Sequence, residues 1–223
     1  MIYIFEERAG DPILKIDGEN FKYLVKVRRH GVGDTLFFRS PQQVERKHTY
    51  KIVEVQNRSL QLELVTSEQE SVESLKKLHI AWCLIDVKSI EKVLPSLCEI
   101  GVTKITFIHC QRSQKNFKLD FKRFERILTS SMQQCGRTSF IEFDTCKDLQ
   151  NFLEKNPEAK MFDFCEQTLE DTQNIETVII GCEGGFSQEE KKLVAEQNRF
   201  RLATPMVLRS ESAVVAVASK ILL

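Results

Sequence analysis

Apolar and polar positions follow two different patterns along the chain. Up to residue 65 the apolar positions come in short runs that suit strands, at residues 2–5, 35–38, 49–55 and 59–65. The last two runs alternate apolar with polar, the period of a half-buried antiparallel pair. Asn57-Arg58 stands between them as the turn. One short helix is predicted after Asp17, carrying Phe21-Lys22-Tyr23-Leu24-Val25 and closed near Gly31. A small barrel or sandwich follows for this part. Residues 66–77 (TSEQESVESLKK) are polar with no apolar period and read as a linker.

From Leu78 strands and helices alternate. Residues 78–85 (LHIAWCLI) read as a strand, followed by a helix to Glu99, Gly101 and a second strand at 102–109. Asp120 is placed as the N-cap of a helix with Phe121, Phe124, Ile127, Leu128, Met132 and Cys135 on one face and Gly136 after its end. Residues 160–164 and 176–181 read as further buried-strand candidates. Ser187-Gln188-Glu189-Glu190 has the S-x-x-E spacing of a capping box and opens a helix expected to carry Leu193, Val194 and Phe200. This alternation predicts an α/β domain on a mainly parallel sheet. The predicted domains are 1–68 and 74–223.

Three segments stand out as places for chemistry. Residues 181–187, GCEGGFS, hold three glycines between an apolar strand and a capped helix. Open α/β sheets bind ligands in loops of this kind, where glycine lets the backbone approach closely. A tight turn needing positive φ would use the same residues, and both readings stand. The loop is neither a Walker A loop nor G-x-G-x-x-G. In residues 202–213, LATPMVLRSESA, Arg209 precedes an Ala- and Val-rich helix. A cation is unfavourable at the positive end of a helix dipole, which points to a task beyond surface charge. Third, Cys110-Gln111-Arg112-Ser113-Gln114 opens a basic stretch, and Lys22, Lys26, Arg28 and Arg29 form a smaller cluster.

Net charge is zero, with 32 Lys and Arg against 32 Asp and Glu among 223 residues, so only the distribution speaks of partners. Residues 111–126 carry six bases (Arg112, Lys115, Lys118, Lys122, Arg123, Arg126) against two acids, whereas 145–176 carry three bases against eight acids. One basic patch on a polarised molecule is expected. No apolar run reaches the ~18–20 residues of a membrane helix. The first residues lack the features of a signal peptide. Seven cysteines without a C-x-x-C pair are expected as reduced thiols, in a cytoplasmic protein with no metal site.

Taken in order, these segments resemble the RsmE family of ribosomal RNA methyltransferases, part of the knotted SPOUT superfamily. The family's I-G-P-E-G-G-F-S is similar to residues 180–187, IGCEGGFS, and its L-G-x-R-I-L-R-x-E-T-A to residues 203–213, ATPMVLRSESA. K-A-T-E-L-G-V resembles residues 96–102, E-R-S resembles 111–113, and E-Q-S-x-R resembles 133–137. H-x-x-x-V-L-R-x-x-x-G-D resembles residues 23–34, with Val27, Gly33 and Asp34 in place. The chain departs from the pattern at Cys182 (proline), Ala203-Thr204 (Leu-Gly), Met206 (arginine), Ser96 (lysine) and Tyr23 (histidine).

The resemblance implies a PUA-like RNA-binding β-barrel at 1–68 and a trefoil-knotted α/β methyltransferase domain at 74–223. It implies transfer of a methyl group from S-adenosylmethionine to N3 of a uridine in 16S ribosomal RNA, by a homodimer joined through the knotted domain. The cofactor would lie on Gly181, Glu183, Gly184, Gly185, Phe186, Thr204, Pro205, Val207 and Leu208, with Glu183 equally suited to brace its own loop. Arg209 is the candidate cation for the anion left when uracil N3 loses its proton, with Glu211 as helper. Lys22, Arg28, Arg29, Arg112, Ser113, Gln134 and Arg137 would face RNA. A non-catalytic RNA-binding or ribosome-assembly protein and a transfer-RNA methyltransferase of the same superfamily are the alternatives.

Overall fold

The computed structural model describes residues 2–113, 118–170 and 174–223, and Gln114, Lys115 and Asp171 of the segments singled out above lie outside them. The chain divides into two units: Met1–Glu73 with Met132–Ser139, and Ser74–Ser131 with Phe140–Leu223.

The first unit is built on β1 (Ile4–Phe5), β2 (Ile13–Asp17), α1 (Gly18–Phe21), β3 (Thr35–Ser40), β4 (Gln43–Val55) and β5 (Ser59–Gln69). Its sheet has the order β1-β3-β4-β5-β2 and curls into a half-barrel. Only β1 and β3 run parallel; the other pairs are antiparallel. Alternate positions of β2, β4 and β5 send Leu14, Ile16, Tyr50, Ile52, Leu60 and Leu62 into one core with Phe38. Each such burial contributes roughly 1.5–3 kcal/mol. β2 was not expected, because Ile13 faces solvent, 54% exposed, and blurs the alternation. The expected linker is shortened, since β5 continues through Gln69 by pairing with Arg46–Thr49 of β4.

The expected helix after Asp17 begins as α1 and widens into a π-helical turn, Lys22–Val27. It ends before Gly31: Arg28 N–H donates to Tyr23 O (2.9 Å), and Arg29 takes a left-handed backbone (φ 60°).

In the second unit β6 (His79–Cys83), α2 (Val87–Ile100), β7 (Lys104–Ile108), α3 (Phe121–Cys135), β8 (Glu142–Cys146), α4 (Leu149–Lys155), β9 (Lys160–Phe162), β10 (Thr177–Ile180), α5 (Gln188–Lys192), β11 (Arg199–Phe200) and α6 (Ser210–Leu222) follow in order. The last turn of α3 belongs to the first unit. The six strands are all parallel, ordered β11-β9-β10-β6-β7-β8. Asp120 accepts Arg123 N–H (3.0 Å) at the start of α3, and Gly136 follows its end at φ 92°.

Three expectations change here. β8 and α4 were not anticipated, because the edge strand EFDTC is mostly polar and carries no alternation. Phe200 lies on β11 rather than on the helix from Ser187, which stops at Lys192. Arg199 ends that helix by donating from its guanidinium to the carbonyls of Lys191 and Val194, groups a continuing helix would have used internally. Finally, Cys83 and Cys110 form a disulfide instead of two thiols. Parallel pairing sets Cys83 against Ile108, so Cys110 reaches it from 27 residues away, with Cα atoms 5.6 Å apart. The other five cysteines form no disulfide. Among the described residues no helix is long and apolar enough to cross a membrane.

Candidate active site

Beyond the carboxyl ends of β9, β10 and β11 lies a cavity of about 580 Å³. That volume falls within the ~300–1,000 Å³ of small-molecule sites. Two loops supply most of its wall: the glycine loop after β10 and the loop before α6. The sheet brings them together because β9, β10 and β11 are neighbours.

The glycine loop turns sharply. Gly185 N–H donates to Cys182 O (2.9 Å), and Gly185 itself adopts φ +65°, where a Cβ would be strained. Gly184 has a different reason for lacking a side chain: a Cβ there would stand 3.2 Å from Cβ of Arg112. Arg112 packs along this glycine and donates from Nη1 to Gly184 O (2.7 Å). Cys182 is buried beneath the turn, its Sγ 3.7 Å from Gly185 O, and burial pushes its thiol up, so it stays protonated.

Two polar groups fasten the loop from below. The capping box from Ser187 to Glu190 is formed in both directions, and Glu190 is only 5% exposed. Its Oε1 accepts Gln111 N–H (2.8 Å) while its Oε2 accepts Ser187 N–H (2.9 Å). Ser210 Oγ donates to Gly181 O and accepts the indole N–H of the fully buried Trp82 (2.9 Å). The first residue of α6 is thereby tied to the first residue of the glycine loop.

In the second loop Thr204 Oγ1 accepts Met206 N–H (3.2 Å), and Thr204 N–H donates to Leu202 O (2.8 Å). This local turn is one that Ser or Thr can hold where glycine would rely on backbone freedom. Met206 and Val207 project outward, 66% and 76% exposed. Arg209 sits at the N-cap of α6, where its carbonyl accepts Ala213 N–H (2.7 Å), but its exposed side chain caps nothing and makes no hydrogen bond or ion pair among the described residues.

Every residue named for the cofactor lines this cavity: Gly181, Glu183, Gly184, Gly185, Phe186, Thr204, Pro205, Val207 and Leu208. Arg209 and Arg112 line it as well, whereas Glu211, in the first turn of α6, does not. Lys22, Arg28 and Arg29 are exposed in the first unit, and Gln134 is exposed near the end of α3. Ser113 and Arg137, expected to face RNA, are buried. Ser113 Oγ accepts Cys110 N–H (3.1 Å), and Arg137 Nε donates to Ser139 Oγ (3.3 Å) while its carbonyl accepts the hydroxyl of Tyr3 (2.8 Å).

Asp163 and Lys191 were missed. Asp163, 8% exposed, follows β9 and pairs with Lys191 of α5 (2.7 Å) on the cavity wall. An acid directly after a buried strand, in KMFD, was the available signal. Phe162, Phe164 and Arg201 complete the same side. The cavity therefore combines apolar walls, exposed backbone and charges of both signs.

Residues 72–222 match the RNA methyltransferase domain family. The ribosomal RNA small subunit methyltransferase E of Helicobacter pylori strain 26695 is 36% identical over 98% of both chains. Two solved structures share the fold. One is a Legionella pneumophila protein described as a methyltransferase and crystallised with S-adenosylmethionine (TM-score 0.74, 24% identity, 99% of this chain and 96% of that one). The other is the ribosomal RNA small subunit methyltransferase E of Neisseria gonorrhoeae bound to S-adenosylmethionine (TM-score 0.71, 17% identity, 98% and 95%). The fold is thus the expected α/β SPOUT fold, and the half-barrel of the first unit is consistent with the expected PUA-like barrel.

Proposed function

The chain belongs to the ribosomal RNA small subunit methyltransferase E family, and from that membership we propose that it methylates N3 of a uridine in 16S ribosomal RNA with S-adenosylmethionine. The observation that carries this reading is a single cavity walled by both family loops, with an unpaired Arg209 at its edge.

The donor set suits the cofactor. Ile180, Phe186, Leu202 and Leu208 offer apolar surface to a purine, and the glycine loop offers backbone groups. Asp163 and Glu183, with Lys191 and Arg201, offer charges of both signs to an amino-acid tail. Bound there, S-adenosylmethionine supplies a methyl group already activated by its sulfonium. The protein's remaining task is positioning and charge stabilisation. Uracil N3 must lose a proton, and the guanidinium of Arg209 would hold the resulting anion. Glu211, two residues on in the first turn of α6 and outside the cavity lining, would act as its helper. Arg112, anchored on Gly184 but exposed, and Gln134 would orient the RNA.

Met206, Val207 and Phe164 form an exposed apolar fringe beside the cavity. We propose that a second copy covers it, giving a homodimer that sedimentation at micromolar concentration detects. A cytoplasmic location follows from the ribosomal substrate. The direct test incubates the purified protein with methyl-labelled S-adenosylmethionine and either free 16S RNA or small subunits. Label recovered as 3-methyluridine supports the reading. Cofactor binding with no label in either substrate would leave a binding protein, and label in transfer RNA alone would move the substrate.

A further inference from the structure

A second cavity, of about 320 Å³, opens in the first unit, away from everything assigned to methyl transfer. Tyr23, Phe37, His30 and Arg28 line it above the buried Leu24 and Leu36. Phe37 is the outward residue of β3 between inward Leu36 and Phe38, and 39% of it is exposed. The Tyr23 hydroxyl and the Arg28 guanidinium make no hydrogen bond or ion pair among the described residues. His30 is held by Asp34, Nδ1 to Oδ2 (3.1 Å), and the Gly31 N–H on the same oxygen together with His30 holds the Asp34 carboxyl below its usual range.

The backbone beside the cavity is unusual in two ways. Its wall is the π-helical turn Lys22–Val27, a form concentrated at functional positions. The turn ends on Arg29 at φ 60°, the one described non-glycine residue with positive φ. Such conformations cost free energy and persist where a site needs them. Residues 22–29 carry four bases and no acid. Aromatic side chains on its wall, a volume suited to one ring system and the single unpaired guanidinium of Arg28 select a flat, anion-bearing ligand. Within an RNA-modifying protein that description fits a nucleotide.

We propose that this cavity is a nucleobase site, taking one unstacked base of single-stranded RNA against Tyr23 and Phe37 with its phosphate on Arg28. The proposal rests on the reading of the chain as an RNA methyltransferase and adds a contact outside the methyl-transfer cavity. Single-stranded RNA is bound in this manner by aromatic platforms with flanking cations, tolerant of sequence because every base has a π-face.

The test uses the full chain, an oligouridylate probe and its substrate RNA. Phe37→Leu keeps bulk but removes the ring, and affinity for both RNAs should fall roughly 5–100-fold with little change in salt dependence. Phe37→Tyr should restore it. Arg28→Ala should lessen the slope of log affinity against log salt by about 0.7. Circular dichroism and a wild-type-like urea unfolding transition verify that each variant is folded. Wild-type RNA affinity in folded Phe37→Leu would overturn the proposal, as would a 4-thiouridine crosslink mapping only outside the cavity. An acidic peptide bearing an aromatic residue that binds more tightly than oligouridylate, and loses affinity in Phe37→Leu, would reassign the cavity to a protein partner. Failure of methyl transfer with oligouridylate still bound through Phe37 would overturn the proposed reaction and not this site.

Discussion

Glu190 Oε1 accepts the backbone N–H of Gln111 at 2.8 Å, joining two loops that lie 79 residues apart in the chain. The same carboxylate closes its own capping box through Ser187 N–H. One buried acid therefore holds the glycine loop against the strand end that carries Arg112. Arg112 closes the connection on the far side by donating to Gly184 O.

Replacing Glu190 by Ala leaves both N–H groups without that acceptor. A buried donor left without a partner costs about 1–3 kcal/mol, so the midpoint of urea unfolding should fall accordingly. Glu190→Gln keeps a single acceptor and turns an N–H₂ toward one of the donors, so it should recover only part of the loss. An unchanged urea midpoint in Glu190→Ala would show that the bridge contributes nothing.

At Gly184 the obstacle to a side chain is Arg112. Gly184→Val places its Cβ 3.2 Å from that of Arg112 and should drive the arginine off the loop. Overpacking of this kind costs typically 1–3 kcal/mol, which here should appear as weaker binding of S-adenosylmethionine. Adding Arg112→Ala removes the clash and should restore part of the affinity. Equal losses in the single and double variants would place the clash elsewhere.

Arg209 is expected to act on the chemical step. Arg209→Ala should lower the single-turnover rate by roughly 10²–10³, while cofactor and RNA affinities change little. Lys118→Ala, in the basic stretch, should weaken RNA binding and flatten its salt dependence instead. Full single-turnover rate with weakened RNA binding in Arg209→Ala would move Arg209 among the phosphate-binding residues.

His79 gives the fold an acid limb. Its Nε2 lies 2.8 Å from Thr106 Oγ1 and its ring meets Phe152 edge-on. Burial, then the charge of Lys104, hold its pKa down to about 4 against 6.5, with Asp144 opposing. The unfolded chain therefore binds the proton first. This contribution is complete above pH 6.5 and is lost as pH falls from 6.5 toward 4. His79→Gln should flatten that part of the stability curve. An imidazole titrating near 6.5 in the folded protein, read by NMR, would contradict the assignment.

Local signals were legible wherever one element carried its own pattern. The hairpin of β4 and β5 showed in its alternation, the start of α5 in its capping box, and the cavity loops in their glycines and Arg209. What depended on tertiary pairing was not legible. Cys83 and Cys110 meet only because β6 and β7 are neighbours, and Asp163 finds Lys191 only because α5 follows β10 over β9. Arg137 had the residue type of an RNA contact, but burial turned it to internal hydrogen bonds. Nothing in the sequence marked Arg199, whose guanidinium ends α5 on the carbonyls of Lys191 and Val194.

The central claim is that this chain marks one uridine of 16S ribosomal RNA at N3, and nucleoside mass spectrometry of small-subunit RNA reads it most directly. RNA from a strain lacking the protein should lose 3-methyluridine at a single position. The wild-type chain should restore it, and Arg209→Ala should restore far less. Unchanged 3-methyluridine in the deletion strain, or full restoration by a chain that no longer binds S-adenosylmethionine, would contradict it.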